Sequence, residues 1–341
     1  MNCYISRNYK NLTTAGNKAK SDIESIMSDI GFRNIGIRQT HYKNSAIAFL
    51  LNLVGVIKAL LCLHKGDNLV IQYPLKKYFS LLCTIAHMRG AKVIVIIHDL
   101  GSFRRKKLTI REEINRFNVV DYIISHNESM KKWLIDNGCK TKIGVLEIFD
   151  YLSSGKSEEE PNMPSSYSIV YAGALRDRKN AFLYKVGDYS KTLKFSLYGN
   201  GFEIDKAKNK SCFNYLGFIK SDDLISKVQG DFGLVWDGDS IEECSGDFGE
   251  YLKLNNPHKT SLYIRCGLPI IIWKEAALAK FVEENNIGFS ISSLKELEDK
   301  LSIITKNDYL EMKKNISEIS IRLSKGYYVS KALNDAIKYF K

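Results

Sequence analysis

The chain of 341 residues lacks most of the features that mark disordered, secreted or zinc-stabilised proteins. It contains only five prolines and no low-complexity tract, which argues against long disordered segments. Its seven cysteines include no CxxC pair, so their spacing gives no zinc ligand set and suits free thiols in a reducing compartment. The stretch MNCYISRNYKN has no apolar core of the signal-peptide type, so we expect a cytoplasmic protein.

Two signatures of other protein classes are also missing. The stretch SRNYKNLTTAG, which follows the first predicted strand, is not GxGxxG, and this disfavours a nucleotide-sugar epimerase or synthase. No nucleic-acid-binding module is recognisable, and the basic residues are not interleaved with aromatic ones, so we expect no nucleic-acid partner. With 45% hydrophobic and 26% charged residues, the composition is that of a soluble globular chain long enough for two cores.

The net charge of +12 is concentrated in the first half of the chain. Residues 1–150 hold 23 Lys and Arg against 12 Asp and Glu, whereas residues 151–341 hold 27 against 26. The basic residues at 104–107 belong to this surplus. The surplus indicates either a solvated face or attraction to an anionic partner such as a membrane surface, and charge alone leaves both readings open.

Short aliphatic runs alternate with helical patterns along the whole chain, which predicts an α/β protein with parallel sheets made of βαβ units. We predict a first domain at 1–150, a linker at 151–166 that contains the acidic run and two prolines, and a second domain at 167–325. A last helix at 326–341 is expected to pack back on the first domain. Two doubly wound, Rossmann-like domains would face each other across a cleft, with ligands at the carboxyl ends of the strands.

One apolar stretch, at 46–63, is long enough to be tested as a membrane span. It contains Asn52 and Lys58, and a charge near the bilayer centre costs roughly 3 kcal/mol on insertion scales. We therefore favour a helix buried against a sheet, with an interfacial helix as the alternative.

Four loops in the second half follow predicted strands and carry residues suited to an anionic ligand. YAGALRDRKN supplies small residues and then Arg176 and Arg178, and LYGNGFE supplies Gly199 and Gly201, which tolerate positive φ. The other two loops have the sequences LVWDGDS and YLKLNNPHKTSLYIRCGLPIII. Each loop alone is ordinary turn chemistry, but four at successive strand ends predict a common site.

The last of these loops leads into a predicted helix and indicates a diphosphate site. Lys259 supplies a positive charge, and Thr260 and Ser261 stand in the first helical turn with hydroxyl and backbone donors. Pro257 tolerates a helix start after itself and biases Asn256 away from helix. Cations that converge on the positive end of a helix would neutralise the diphosphate of a sugar nucleotide.

Two further groups have alternative interpretations. His98 and Asp99 follow the apolar strand KVIVII and are candidates for the general base, or they only cap the loop. Asp237, Gly238 and Asp239 have the spacing of metal-chelating carboxylates, but the nearby cations already supply positive charge, so we expect no metal. Asp237 is then expected to bind hydroxyls of the donor sugar, with Trp236 as an apolar wall.

The chain resembles bacterial GT-B glycosyltransferases, in the order of VYAGALRDRKN, LYGNG, YLGF, GLVWDG and YLKLNNPHKTSLYIRCGLPIIIWKEAAL. In the first half, NLTTAGNKAKSDI, IHDLGSFR and SHNESMKKWL agree with the same resemblance. In particular it is similar to the β-1,6-galactofuranosyltransferases, and it also resembles the glucosyltransferase that extends sugars on streptococcal serine-rich adhesins. The NNPHK…GLP element is its most specific part.

The resemblance implies roles for individual residues. Arg176 or Arg178, together with Lys259, would hold the diphosphate. The uracil and ribose would lie beside Tyr198, Gly199, Asn200 and Gly201. From the first domain, the residues that face the donor would be Thr14, Ala15 and Gly16. The acidic residue usually found shortly before the Gly-Leu-Pro is absent, since Leu262 stands nearby, so ribose recognition must differ.

These observations predict a metal-independent hexosyltransferase that uses a UDP-sugar, with galactofuranose favoured, and needs no separate cofactor. The acceptor would be a saccharide of bacterial surface glycan assembly, and a lipid-linked acceptor would explain the basic first half through peripheral contact with an anionic membrane. Related enzymes suggest a homo-oligomer. The alternatives are a glucosyltransferase acting on a glycosylated adhesin, or a non-catalytic UDP-sugar-binding subunit.

Overall fold

The computed structural model describes residues 1–9, 15–75, 78–103, 106–155, 157, 166–189 and 192–341, without the side chains of Ala15, Gly16 and Ser221. The chain divides into two compact units: unit 1 comprises Met1–Asp150 and Lys325–Lys341, and unit 2 comprises Tyr151–Ser324. Most of the predicted linker at 151–166 lies outside the described residues.

Unit 1 is built on a six-stranded sheet whose described strand pairs are all parallel. The sheet order is β2-β1-β3-β4-β5-β6, with β1 (Asn2–Tyr4), β2 (Arg33–Asn34), β3 (Asn68–Tyr73), β4 (Lys92–Ile97), β5 (Tyr122–Ser125) and β6 (Lys142–Val145). The two central strands pair from Asn68 with Lys92 to Tyr73 with Ile97. Val and Ile predominate in β4 and are buried, as expected of a parallel strand covered on both faces.

Among the residues that the structure describes, five helices connect these strands: α1 (Ala15–Asp29), α2 (Ser45–Cys62), α3 (Phe79–Met88), α4 (Ile110–Phe117) and α5 (Glu128–Asp136). Three of them begin at side-chain caps that the sequence encodes. The side chain of Asn44 accepts from the first-turn amides of α2, and Asn127 caps α5 in the same way. Thr109 and Glu112 form a reciprocal capping box at the start of α4.

The prediction that the apolar stretch at 46–63 forms a helix is confirmed, but the prediction that this helix is buried is wrong. Only the side of α2 that carries Ala48, Gly55, Val56 and Ala59 is buried. The helix is long and apolar enough to cross a membrane by length and composition, and 22% of it is buried within the structure. The error arises because its small residues, and not its large aliphatic ones, face the rest of unit 1.

Unit 2 repeats the architecture with a second parallel sheet in the order β12-β11-β10-β7-β8-β9. Its strands are β7 (Ser168–Ala172), β8 (Lys194–Tyr198), β9 (Phe213–Gly217), β10 (Phe232–Val235), β11 (Ile270–Trp273) and β12 (Gly288–Ile291). Its helices are α6 (Asp177–Asn180), α7 (Phe182–Tyr189), α8 (Ser221–Lys227), α9 (Gly246–Leu252), α10 (His258–Arg265), α11 (Ala279–Glu284), α12 (Leu297–Ser302) and α13 (Lys306–Ser324).

The last helix, α14 (Tyr327–Tyr339), is part of unit 1 although it follows unit 2 in the chain. It begins at Gly326, which has a φ of 69°, so the predicted break of the tail at this glycine is confirmed. The carboxylate of Asp150 accepts hydrogen bonds from the backbone N–H groups of Tyr328 and Val329 and thereby caps the helix. Burial raises the pKa of Asp150 to about 7.

Candidate active site

In unit 2, the loops that the sequence singles out lie side by side because β10, β7 and β8 are neighbours in the sheet. All three strands are parallel, so their carboxyl ends, and the loops that follow, share one edge. This edge is where open α/β sheets bind ligands.

Glycines allow two of these loops to touch through their backbones. Gly173 N–H donates to the carbonyl of Tyr198, and Gly199 has a φ of 145° with Gly173 O only 1.7 Å from where a Cβ would stand. Gly201, with a φ of 105°, lies beside the side chain of Arg176. The predicted positive φ of both loop glycines is confirmed, and a side chain at residue 199 would separate the loops.

A buried ion-pair cluster lies at the same edge. The Nζ of Lys259 is 2.9 Å from Asp237 Oδ1, and the Nζ of Lys179 is 3.3 Å from Asp237 Oδ2. The side chains of Lys259 and Asp237 are only 9% and 7% exposed. One carboxylate between two ammonium groups leaves a surplus positive charge in a site with little water, where such a charge acts strongly on an anion.

Burial and the oppositely charged neighbours shift the pKa values of this cluster in opposite directions. Burial lowers the pKa of Lys259 to about 8, although Asp237 acts in the opposite direction. Burial alone would raise the pKa of Asp237, but Lys179 and Lys259 outweigh it and hold that pKa below its ordinary value. The carboxylate is therefore charged at neutral pH, and the ammonium of Lys259 is near its titration point.

Three residues of the cluster were missed by the sequence analysis: Lys179, Tyr171 and Asn180. The hydroxyl of Tyr171 accepts from Lys259 Nζ at 2.9 Å and lies 2.6 Å from Asn180 Oδ1, and its ring lies 4.1 Å beneath the same ammonium. Tyr171 sits within β7 and Asn180 at the end of α6, so both read as core positions. The available signal was the polar run RKN at 178–180, in the segment that follows β7.

The start of α10 agrees with the predicted helix start. Pro257 is the N-cap and provides no side-chain cap, and Thr260 and Ser261 lie in the first turn, buried like Asn256. Within the part of the chain that the structure describes, the buried hydroxyl of Thr260 has no hydrogen-bond partner. A buried hydroxyl without a partner at a helix amino terminus is a position at which a ligand oxygen would be stabilised.

The structure separates the two predicted arginines. The guanidinium of Arg178 lies 5.9 Å from the ring centre of Phe248, and the Nζ of Lys179 lies 5.7 Å from the same ring, so Arg178 is close to the cluster. Arg176 is exposed beside Gly201, and Asn200 is exposed next to it. Both arginines are exposed, on either side of Asp177 in the segment that follows β7.

Tyr198 and Trp236 differ from what the sequence analysis expects. Both side chains are buried in the core: the hydroxyl of Tyr198 accepts from the N–H of Gln229, and the indole of Trp236 donates to Ser240 O. Neither offers a ring face to a ligand in this structure. The sequence analysis places Tyr198 beside the uracil and ribose and Trp236 beside the donor sugar, whereas in this structure both side chains are part of the core.

In unit 1, His98 follows β4 and is held by a hydrogen-bond chain. The amide nitrogen of Gln72 donates to Lys20 O at 3.2 Å, which fixes its carbonyl oxygen towards His98 Nε2 at 2.7 Å. Because that oxygen can only accept, Nε2 carries the proton and the lone pair of the imidazole is on Nδ1. The ring also stacks on Phe149 at 5.5 Å.

The loop that carries His98 and Asp99 is fixed by a buried carboxylate that the sequence analysis missed. Glu113 of α4 accepts from the N–H groups of Gly101 and Ser102 and from the hydroxyl of Tyr73. Of the residues expected to face the donor from the first domain, Thr14 lies outside the described residues. Ala15 and Gly16 begin α1.

Comparisons with known proteins agree with these features. Residues 2–148 match the family model "Glucosyltransferase 3-like, N-terminal domain", and residues 169–336 match "Glucosyltransferase 3-like, C-terminal domain". Together these models cover most of the chain, and their boundary coincides with the segment between β6 and β7.

The curated relatives align over nearly the whole chain. The β-1,6-galactofuranosyltransferase WbbI of Escherichia coli (strain K12) is 34% identical over 330 residues, which is 96% of each chain. Glucosyltransferase 3 of Streptococcus gordonii is 24% identical over 327 residues, covering 94% of this chain and 93% of its own.

Solved structures show the same fold. The lipopolysaccharide outer core galactosyltransferase WaaB, in its apo form, superposes with a TM-score of 0.63 at 11% identity, over 100% of this chain and 99% of its own. The predicted GT-B fold and the resemblance found in the sequence are confirmed. The chain therefore belongs to the glucosyltransferase 3-like family of glycosyltransferases.

Proposed function

We propose that this glycosyltransferase moves a hexose, with galactofuranose favoured, from a UDP-sugar to a hydroxyl of a saccharide acceptor in bacterial surface glycan assembly. The observation that carries the proposal is the cationic cluster at the start of α10, in a chain related over its full length to a galactofuranosyltransferase. The donor would bind to unit 2 and the acceptor to unit 1.

The diphosphate of the donor would bind at the positive end of α10. Lys259 and Lys179 leave one surplus charge beside Asp237, and Arg178 adds another nearby. A phosphate oxygen would also satisfy the buried hydroxyl of Thr260. Because Asp237 is already bonded to two lysines, it is poorly placed to chelate a cation, which favours a metal-independent reaction.

His98 is the proposed general base. In an acceptor complex, Nδ1 would take the proton of the attacking hydroxyl, and Gln72 would stabilise the other side of the imidazole. Asp99, the next residue of the same loop, is the second candidate for the general base. Base catalysis of this kind contributes about 10² to 10⁴ in rate.

A pocket beside this loop is the proposed acceptor site. It has a volume of about 460 Å³ and is lined mainly by apolar residues of β3 and α2, including Ala48, Phe49 and Val56. Its polar lining includes Arg7 and Gln72, and Gln72 also contacts His98. The side chain of Gln72 therefore connects the pocket with the proposed base, His98. The apolar walls of the pocket suit the flat faces of sugar rings.

The proposed setting is the cytoplasm, with peripheral contact to an anionic membrane that carries a lipid-linked acceptor, and with self-association. The basic surplus of the first half supports this proposal. Of the basic residues at 104–107, Lys106 and Lys107 lie within the described residues, and Lys107 is exposed. Vesicle binding that ignores anionic lipid and salt would contradict the proposed contact.

The experiment is a UDP-release assay with UDP-galactofuranose, UDP-galactose and UDP-glucose, followed by determination of the product structure. Release from UDP-galactofuranose that requires an acceptor would support the proposal. Preference for UDP-glucose would favour the alternative of a glucosyltransferase, which the S. gordonii relative suggests. Stabilisation by UDP without turnover of any donor would indicate a non-catalytic binding subunit.

The acceptor pocket is tested separately with Ala48→Leu, which would partly fill it. The expected result is a higher KM for the acceptor with unchanged thermal stabilisation by UDP. Ala46→Leu is the matched control, because Ala46 is exposed on the same helix and does not line the pocket. An unchanged acceptor KM in Ala48→Leu would remove this pocket from the proposal.

A further inference from the structure

The outward face of α2 is a continuous stripe of large aliphatic side chains. Five residues with helical spacing are strongly exposed: Ile47 (42%), Leu50 (58%), Val54 (55%), Ile57 (49%) and Leu61 (67%). At 3.6 residues per turn they fall within an arc of about 80°. A contiguous apolar surface of this kind marks an interaction site.

The stripe is a consequence of how α2 packs on unit 1. Its inward face carries Ala48, Gly55 and Ala59, which allow a close approach: a Cβ on Gly55 would stand 3.4 Å from Ile37. The large side chains are thereby turned to solvent. Since the inward face also forms a wall of the pocket, α2 is an integral part of unit 1 and is not free to cross a bilayer.

The segment of sequence that carries the stripe is positively charged and contains no acid. Between Asp29 and Asp67 the sequence has no Asp or Glu, while it has five Lys and Arg. Lys43 precedes α2, Lys58 lies at the edge of the stripe, and Lys65 follows the helix; all three are exposed. Lysines at such positions can extend their ammonium groups to the lipid headgroups while their stems lie along apolar surface.

This charge pattern selects the partner. A second copy of the chain would bring two acid-free, cationic rims against each other, which is unfavourable. An anionic bilayer provides both an apolar layer for the stripe and negative headgroups for the rim. We propose that α2 lies in the interface of an anionic membrane, with its five aliphatic side chains inserted and its lysines at the headgroups.

The test is flotation of the full chain with vesicles of phosphatidylcholine alone and of equal parts phosphatidylcholine and phosphatidylglycerol. Strong binding is expected only to the anionic vesicles and should weaken with salt. Leu50→Asp/Ile57→Asp should lower the bound-to-free ratio by more than about tenfold, because charged side chains insert poorly. Lys43→Glu/Lys65→Glu should abolish the preference for anionic lipid.

The matched control is Ile303→Asp/Ile321→Asp, which changes two exposed isoleucines of unit 2 and should float like the wild type. Circular dichroism and the melting temperature confirm that each variant is folded. The inference deepens the membrane contact proposed above and rests on it, but flotation needs no donor or acceptor, so its outcome is independent of the proposed sugar transfer. The inference is overturned if the wild type ignores anionic vesicles. It is also overturned if the Leu50/Ile57 variant floats normally but changes its mass in light scattering, since the stripe would then join copies of the chain.

Discussion

The two units have the same six-stranded parallel architecture and yet present very different chemistry. In unit 2, opposite charges are buried together at the strand ends, around Asp237. In unit 1, the strand ends carry a hydrogen-bond chain through Gln72 to His98, beside a mainly apolar pocket. The scaffold therefore positions the loops, and the residues in the loops determine what each unit can bind.

The same comparison holds for the surfaces. The first 150 residues carry a basic surplus and an exposed aliphatic stripe on α2, whereas charge in the remainder of the chain is balanced. A unit that binds a soluble nucleotide needs only a local positive site. A unit that meets a membrane-bound acceptor needs a whole face of suitable charge and hydrophobicity.

The largest expected effect would separate the chemistry of unit 1 from binding in unit 2. His98→Ala should lower the rate of sugar transfer by about 10² to 10⁴, because the proposed base is lost. Stabilisation by UDP, measured by thermal shift, should not change. His64→Ala is the control, since this histidine of unit 1 is largely exposed. Near-normal sugar transfer by His98→Ala would contradict the assignment of the general base to unit 1.

The second prediction concerns unit 2. Lys259→Met should remove UDP binding and lower the free energy of unfolding by about 3 kcal/mol, because Asp237 loses one of its two charge partners in a buried site. Chemical denaturation and calorimetric titration measure the two effects.

Two matched variants sharpen this result. Asp237→Asn/Lys259→Met should regain stability without regaining UDP binding, which would separate the structural role of the pair from its role in binding. Lys253→Met should resemble the wild type, since Lys253 is half-buried over the Trp273 ring and pairs with Glu250, outside the cluster. UDP binding by Lys259→Met with wild-type affinity would contradict the assignment of the diphosphate site.

The third prediction is a pH dependence of UDP binding, which is assigned to unit 2. Burial lowers the pKa of Lys259 to about 8, so its ammonium is present below that pH and is lost above it. The Kd for UDP should therefore rise by about tenfold between pH 7 and pH 9. Titration of Lys259→Met should give a flat profile, and so should uridine, which has no diphosphate. A pH-independent Kd in the wild type would exclude Lys259 as the charge partner.

The smallest expected effect concerns the stability of unit 1. The pKa of Asp150 is raised by burial to about 7, so the folded state binds its proton more tightly than the unfolded state does. The contribution of this group is thus fully present below pH 4 and is lost as the pH rises towards 7, with a slope of at most about 1.4 kcal/mol per pH unit. Asp150→Asn should flatten that part of the curve in urea denaturation. An unchanged slope would show that Asp150 titrates normally.

The fold could be predicted from the sequence because its signals are local and strong. Apolar runs at 122–125 and 270–273 predict two strands with the observed bounds of β5 and β11, and Gly326 marks the break in the tail. The run at 35–39 also predicts a strand, but β2 lies at Arg33–Asn34, since its neighbour β1 has three residues and the last backbone bond to it is made by Ile35. Short edge strands depend on their partners, which a single sequence does not reveal.

The candidate site was predicted less completely, for a physical reason. Lys259 and the start of α10 followed from composition and spacing, and so did Asp237. The contact between Asp237 and Lys259 could not be predicted, because the two residues belong to different segments that only the fold brings together. Tyr171 and Gln72 were missed, since each lies within a strand and acquires its role only from what surrounds it.

The position of α14 affects the order in which the chain can fold during synthesis. The ribosome makes unit 2 as one continuous stretch, so it can fold as soon as that stretch emerges. Unit 1 is begun first but has to wait for the final helix, to which Asp150 and Ile26 contribute contacts. The residues translated before unit 2 thus complete their native packing only after unit 2 has been made, and loss of α14 would destabilise unit 1.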